Sequence, residues 1–588
     1  MKSTRKITLI LGAVLAIGLL IYGCGPKAAQ SLVPAYSLAG FTPADADGNR
    51  VVTGRDATAA NAMVSASRYE ASQVGAEIMA KGGTAIDAAV AMGFAMGVVE
   101  PFTNGIGGGG FANIRTASGE TIFVDFREVA PMKAHARMYL DESGKVIPQA
   151  TSVGGLASGI PGDVAGLLYI LENYGTMSRQ EVMAPAIRMA TEGFEITKYA
   201  NQAITDSLNL SNLFPEMGKV YLDKDGLPWE AGTIINNPYL AKTLQIISDK
   251  GVDGFYKGEV AQAMVDSVNK AGGIFTYEEL ANYKPLIYQP VKGTYRGYEI
   301  ISSPPPSSGG SILLEILNML ELYDVSKLAV NSPEYIHLWT EVYKIAYADR
   351  AKYMADTQFS EVPLGGIASK DFAKQRAKLI DLKKAAPDVT FGDPWAFEND
   401  DTTHFSIADK DGNMVAITKT INYYFGSGVM VEGYGFMMNN EMDDFSTDPE
   451  SVNHVEPGKT PLSSMTPTLV LKDGKPFMVL GTPGGTRIFA SVAQTLSRVI
   501  DHKMSLNEAI GVPKIWNTAN VDRISYEVPM KGFEKYTVTP ETIAKLIEMG
   551  HAEPTTAASG ALQAIMYLED GTLYGTADPR QDGKAVGN

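Results

Sequence analysis

Three short segments of this 588-residue chain carry groups suited to binding or activating a carbonyl or carboxyl function. The first runs from Thr402-Thr403-His404-Phe405-Ser406 through Gly412-Asn413 to Thr418, Thr420, Asn422 and Phe425-Gly426. Thr403, Phe405 and Ile407 alternate with His404, Ser406 and Ala408, a turn follows, and Met414 to Asn422 returns, which is the pattern of a β-hairpin. Threonine favours pleated sheet simply because it is β-branched, and taken alone these hydroxyls need no catalytic explanation. The second segment, Pro461-Leu462-Ser463-Ser464-Met465-Thr466-Pro467, sets two adjacent hydroxyls between prolines, where a rigid loop can aim donors at a carboxylate. The third, Gly481-Thr482-Pro483-Gly484-Gly485-Thr486-Arg487, leaves an apolar strand and enters a helix. Its Gly484 and Gly485 amides would face a pocket beside a helix N-terminus, which suits an anion or a developing oxyanion. Each loop by itself is more economically an ordinary turn.

The elements that must position these groups are legible in outline. Apolar residues Val74, Ile78, Ile86, Ala89, Val90 and Phe94 recur at helical spacing, and Lys81-Gly82-Gly83-Thr84 breaks them into a helical hairpin. Helices are predicted over Gly162 to Asn173, Arg179 to Glu192, Gly310 to Tyr323, Pro333 to Met354, Arg487 to Ile500 and Pro540 to Met549. Turns at Asp409 to Asn413, Lys472 to Lys475 and Glu569 to Thr572 each separate strand-like runs, so the last third should hold a substantial antiparallel sheet. Sheet and helix layers together give an α+β sandwich. Gly105-Ile106-Gly107-Gly108-Gly109-Gly110 satisfies G-x-G-x-x-G formally, but a helical segment precedes it and a strand follows, the reverse of a dinucleotide site. These glycines instead let backbone pass close to packing or to substrate.

Composition narrows the classes of function. With 45% hydrophobic and 20% charged residues the chain is globular, and its net charge of −16 argues against nucleic acid as a partner. One cysteine and six scattered histidines, without C-x-x-C or H-E-x-x-H, give no reason to expect a metal or cofactor. Lys2, Arg5 and Lys6 followed by the apolar run Ile7 to Tyr22 and then Gly23-Cys24 read as a secretory signal, and Ile21-Tyr22-Gly23-Cys24 looks like a bacterial lipobox with a bulky Tyr22. The expectation is a signal over 1–24, lipidation of Cys24, a tether over 25–57 and a membrane-anchored body in the periplasm or on the cell surface. An uncleaved anchor or a plain signal peptide is the alternative.

The ordered set Asp125-Phe126-Arg127-Glu128, Pro304-Pro305-Pro306-Ser307-Ser308-Gly309-Gly310, Thr402-Thr403-His404, Asn439-Asn440-Glu441-Met442-Asp443-Asp444-Phe445, Pro461 to Met465 and Pro483-Gly484-Gly485 resembles the gamma-glutamyltransferases, which are N-terminal nucleophile hydrolases. The resemblance covers about Tyr69 to the C-terminus. It implies a four-layer αββα sandwich built jointly by two autoprocessed subunits, a large one over 58–401 and a small catalytic one over 402–588, forming a heterodimer. Cleavage before Thr402 would free an α-amine on the residue that also bears the nucleophilic hydroxyl. An amine with a pKa of roughly 7.7–8.0 can accept that hydroxyl's proton. His404 then reads as structural.

By the same resemblance Thr420 orients Thr402, and the Gly484 and Gly485 amides stabilise the oxyanion. Arg127 with Ser463 and Ser464 would hold the substrate α-carboxylate, while Asn422, Glu441 and Asp444 accept from its ammonium. The implied activity is hydrolysis and transpeptidation of glutathione and related γ-glutamyl amides, with water, amino acids or peptides as acceptors. Rival readings are an acylase of the same family acting on glutaryl or cephalosporin-type amides, and a surface lipoprotein that only binds peptides. Ser446 to Thr460 is shorter than the lid many members carry, which implies a more open site.

Overall fold

The expected hairpin forms. The strand Thr402–Asp409 pairs antiparallel with Met414–Thr420, setting Thr402 opposite Thr420 and Ala408 opposite Met414. Its turn is closed by the Asp409 carboxylate, which accepts from the amides of Asp411 and Asn413 at 3.1 and 3.0 Å, while Gly412 takes the left-handed conformation at φ +87°. This computed structural model describes residues 34, 36–45, 47–387, 389, 402–517 and 523–588, with Thr402 described by its backbone alone.

The hairpin is the middle of a seven-stranded antiparallel sheet ordered Val586–Gly587, Ala62–Ala66, Thr402–Asp409, Met414–Thr420, Gly109–Arg115, Thr121–Asp125, Leu286–Tyr288. A second seven-stranded antiparallel sheet runs Asp56–Ala59, Leu573–Ala577, Gln563–Tyr567, Lys475–Gly481, Thr468–Lys472, Tyr298–Ser302, Val291–Tyr295. All three hairpin turns read from the sequence join neighbouring strands. Each sheet takes strands from both sides of residue 401, so the two expected subunits share both hydrogen-bonded sheets.

Alternation within each strand builds four layers. Phe405, Ile407, Val415 and Ile417 pack outward against Val90, Phe94, Leu167 and Leu168. Ile300, Val470 and Leu480 pack the other sheet against Leu313, Leu317, Trp339 and Phe489. Met63, Ile301, Ala408, Met414, Ala416, Leu469 and Val479 fill the space between the sheets. The result is the expected αββα sandwich. The helix Ala85–Val99 is apolar nearly all round and all 15 of its residues are buried, as such a pattern requires. Thr84 and Asp87 close its N-terminus as a capping box.

The six helices expected after the hairpin form within three residues of their predicted ends, as Asp163–Tyr174, Arg179–Glu192, Gly309–Leu320, Pro333–Tyr353, Ile488–Ile500 and Pro540–Glu548. Between them the sequence reading passed over Lys198–Asp206, Pro238–Lys250 and Gly258–Lys270, amphipathic helices that each bury one apolar stripe. Residues 36–45 and 47–57, part of the expected tether, are folded onto the body. Arg55 is buried there, its guanidinium donating to the carbonyls of Gln581 and Gly583 at 2.7 and 2.8 Å. The histidines are also less scattered than expected, because His337 Nδ1 and His551 Nε2 meet at 2.7 Å. The signal, Cys24 and the first part of the tether lie outside the described residues, among which no helix is long and apolar enough to cross a membrane.

The seam between the sheets is partly polar, and its partners settle the role of His404. Ser406 Oγ donates to the Gln563 carbonyl at 3.0 Å, so it accepts from His404 Nε2–H at 3.1 Å, which leaves Nδ1 to accept from Thr418 Oγ1 at 2.9 Å. Burial holds the imidazole pKa down to about 3, so the ring is neutral at physiological pH. It spaces strands. Gly481 lies directly against it, and a Cβ there would come within 2.4 Å of His404 Cε1. Gly481→Ala should therefore destabilise the fold by about 1–3 kcal/mol. Thermal unfolding would read this as a drop of several degrees, and an unchanged midpoint would mean the seam has slack.

Candidate active site

At the open end of the hairpin, Thr402 and Thr420 are register partners, and Thr420 pairs on its other side with Gly109. A Cβ on Gly108 would sit 2.0 Å from the Thr420 carbonyl oxygen, and one on Gly107 would sit 2.1 Å from that of Met437. The glycine run is therefore a packing device, holding backbone flush against the residue opposite Thr402. Past Thr420 the chain turns sharply. Asn422 takes φ +73°, which Asn tolerates better than most residues, and its amide donates to Thr420 Oγ1 at 2.7 Å. Its side-chain Nδ2 donates to the Asn440 carbonyl at 3.1 Å and so ties the turn to the segment carrying Glu441 and Asp444.

Those two carboxylates flank Arg127. The guanidinium donates to Glu441 through Nη1 and to Asp444 through Nη2 at 2.7 Å, with Glu128 beyond at 3.7 Å, and the arginine is only 1% exposed. Burial disfavours the arginine's charge, but Glu441, Glu128 and Asp444 outweigh it and hold its pKa above the ordinary range. Burial also pushes Glu128 up to about 8 and Asp125 up to about 7, so Glu128 keeps its proton at neutral pH. Burial also raises the Asp444 carboxyl, against the pull of Arg127. Among the described residues, Arg127 Nε, Asn422 Oδ1 and Asp444 Oδ1 are buried without a hydrogen-bond partner.

Ser463 and Ser464 sit in a loop laced to Pro304–Gly310. Ser308 N donates to the Ser463 carbonyl at 2.8 Å, and Ser307 Oγ to that of Met465 at 2.6 Å. Arg350 bridges the two loops, donating from Nε to Ser308 Oγ and from Nη2 to Ser464 Oγ, each at 2.8 Å. Both serine oxygens thus accept a bond, Ser463 Oγ from the Met465 amide at 3.1 Å, and each can still turn its proton toward a ligand. Gly484 and Gly485, at φ +127° and +56°, form the turn into the helix Ile488–Ile500, a conformation that side chains resist. A small apolar cluster of Phe111, Phe123, Met465 and Ile488 brings these segments together, and the Arg127 guanidinium lies 5.9 Å from the Phe111 ring. The expected openness is absent at the charged cluster. Open space lies instead beside Gly484, in a cleft of about 710 Å³.

Two participants escaped the sequence reading. Arg350, near the end of the helix Pro333–Tyr353, looks like a helix-terminal surface cation until its burial is seen. Glu100, also buried, accepts from Ser67 at 2.5 Å, from Thr103 at 3.0 Å and from Thr403 at 3.1 Å, which fixes the residue next to Thr402. Burial raises its pKa to about 7. Its one signal in the sequence is a carboxylate at the end of an otherwise apolar helix.

The family model described as Gamma-glutamyltranspeptidase matches residues 71–588. The chain belongs to this family. It is 40% identical to the glutathione hydrolase proenzyme of Escherichia coli strain K12 over 534 residues, covering 88% of this chain and 90% of that relative. It is 38% identical to the glutathione hydrolase proenzyme of Bacillus subtilis strain 168, with 100% and 99% covered. Among solved structures, the cephalosporin acylase from Bacillus halodurans superposes with a TM-score of 0.80 at 27% identity, covering 91% of this chain and 97% of that one. Residues 446–460 link the Glu441–Asp444 turn to the serine loop. Here that segment folds back on itself, with Ser446 N donating to the Asn453 carbonyl and Asn453 Nδ2 to that of Asp444.

The buried acids give the site a pH signature. Glu128 has a folded-state pKa above its unfolded value, so the proton it holds stabilises the fold fully below about pH 4, and this contribution is lost as pH rises through about 8. Glu128→Gln, which cannot ionise, should flatten the fall in thermal midpoint between pH 5 and pH 9. Parallel melting curves for parent and variant over that range would mean Glu128 is already ionised.

Proposed function

We propose that the chain is a γ-glutamyl hydrolase and transpeptidase that matures by cutting itself between Asp401 and Thr402. The family assignment and the glutathione hydrolase proenzymes among its relatives support this reading. After the cut, the Thr402 α-amine accepts the proton of the same residue's hydroxyl, whose oxygen attacks the γ-carbonyl of the donor. Negative charge collects on the carbonyl oxygen, where the Gly484 and Gly485 amides serve as donors. The amine leaving group departs with that proton, leaving a γ-glutamyl ester on Thr402. Water then releases glutamate, or an acceptor amine takes the acyl group and completes transpeptidation.

The observation that carries the choice of substrate is the set of buried groups without partners. An α-amino acid head group offers both a carboxylate and an ammonium. The carboxylate fits Arg127 Nε and the protons of Ser463 and Ser464; the ammonium fits Asp444 Oδ1 and Asn422 Oδ1 beside Glu441. A glutaryl amide brings no ammonium and leaves those acceptors dry and unpaired, a penalty on the order of 100-fold or more in selectivity. This favours the γ-glutamyl reading even though a cephalosporin acylase shares the fold.

The lipobox-like Ile21-Tyr22-Gly23-Cys24 supports a further part of the proposal, that the mature protein begins at a lipidated Cys24 and works outside the cytoplasmic membrane as a heterodimer of its own fragments. Intact masses of the purified protein should give one fragment starting at Thr402 and another carrying lipid on Cys24, while Thr402→Ala should run as one uncut chain. A variant cut at the same bond would overturn the nucleophile assignment. Turnover of γ-glutamyl anilide should exceed that of glutaryl anilide by at least about 100-fold, and the opposite order would make the protein an acylase.

A further inference from the structure

The charged cluster around Arg127 accounts for the glutamyl end of a donor, and the leaving amine must exit on the side of Gly484. The cleft of about 710 Å³ there is lined by Arg50, Tyr199, Tyr424, Arg487, Glu527 and Arg580, among others. Two of its three guanidiniums are neutralised. Arg50 pairs with Asp582 at 2.5 Å, and Arg580 pairs with Glu527 at 2.6 Å and Asp578 at 2.8 Å. Arg487 has no carboxylate partner among the described residues. Its Nε donates to the Gly484 carbonyl at 3.1 Å, its guanidinium lies 5.9 Å from the Trp516 ring, and it is half-buried. Nε is thus engaged and the ring backs the guanidinium, so the two terminal nitrogens, without partners among the described residues, are presented to the cleft. A planar fork held at one edge and backed by an aromatic ring is poised for a carboxylate.

We propose that Arg487 binds the carboxylate of the peptide on the amine side of the scissile bond, and so selects donors and acceptors that carry one. The proposal rests on the γ-glutamyl reading and adds a second anchor to it. In a dipeptide leaving group the terminal carboxylate lies roughly 7 Å from the scissile nitrogen when extended. Arg487 lies two residues past Gly485 and lines the same cleft as Gly484, which sets its guanidinium on the side where a leaving dipeptide extends. The same fork serves leaving group and incoming acceptor, since one replaces the other at the same carbonyl.

The test compares acid with amide in one enzyme preparation, so the amount of folded protein cancels. For the parent, kcat/KM for glutathione should exceed that for glutathione with its glycine carboxylate converted to the amide by about 10-fold, mostly through KM, as expected for a charge-assisted bidentate contact. Arg487→Gln should bring the two within about 2-fold, and Arg487→Lys should recover part of the preference. With γ-glutamyl anilide as donor, the acceptor glycylglycine should be favoured over its amide in the parent and lose that advantage in Arg487→Gln. Loss in only one of the two assays assigns the fork to leaving group or to acceptor alone. A parent indifferent to the carboxylate, or a glutamine variant that keeps the preference, overturns the proposal. So does an equal fall in kcat for acid and amide, which would mean Arg487 only braces the Gly484 turn. If the parent cuts no γ-glutamyl compound, the anilide included, the γ-glutamyl reading itself fails.

Discussion

The register of one hairpin governs this molecule. With Thr402 opposite Thr420, the side chains of Thr403–Asp409 are committed alternately to the helical face and to the seam between the sheets. A slip of one residue would drive Phe405 and Ile407 into the polar seam and His404 into the apolar core. The alternative register is therefore costly along the whole strand. The glycine run presses in from the neighbouring strand, and Glu100 holds Thr403 from the helical side, so the start of the strand is fixed on two sides.

A second constraint is the concentration of charge in a nearly dry place. Arg127 between Glu441 and Asp444 is stable because each partner satisfies the other, while separating one would leave an unpaired charge in low dielectric. Such a cluster discriminates well, because a ligand must replace the bonds it disturbs. Protonated Glu128 limits the negative charge that Arg127 must balance. The apolar cluster of Phe111, Phe123, Met465 and Ile488 beneath it then sets the spacing between the charged strand end, the serine loop and the glycine turn. A few buried apolar side chains thus position groups that lie far apart along the chain.

What could be read from the sequence was mostly local. Capping residues, turn spellings and apolar periodicity act over a few residues, which is why the helical hairpin, the six helices and the three β-turns were legible. The segment from Lys198 to Lys270 was harder, because its helices show the core only a narrow apolar face. The presumed tether misled because Ala, Asp and Gly resemble a linker, whereas Arg55 bonds to carbonyls some 526 and 528 residues away. The motif residues were identified by resemblance, yet their mutual arrangement was not. Arg350 and Arg487 carry no local mark of their roles and Glu100 only that of a carboxylate ending an apolar helix, and each acquires its role from a distant partner or from an open space that folding creates.

The sharing of each sheet by strands from both sides of residue 401 has a consequence for the life of the mature protein. If the chain is cut as proposed, each sheet is a woven fabric of two threads, and neither fragment retains a complete sheet of its own. Assembly was unimolecular when the chain was whole. After scission, any molecule that unravels must find its other half by collision, at whatever dilution prevails. Endurance is then a matter of how slowly the fabric comes apart, since the route by which it was made no longer exists.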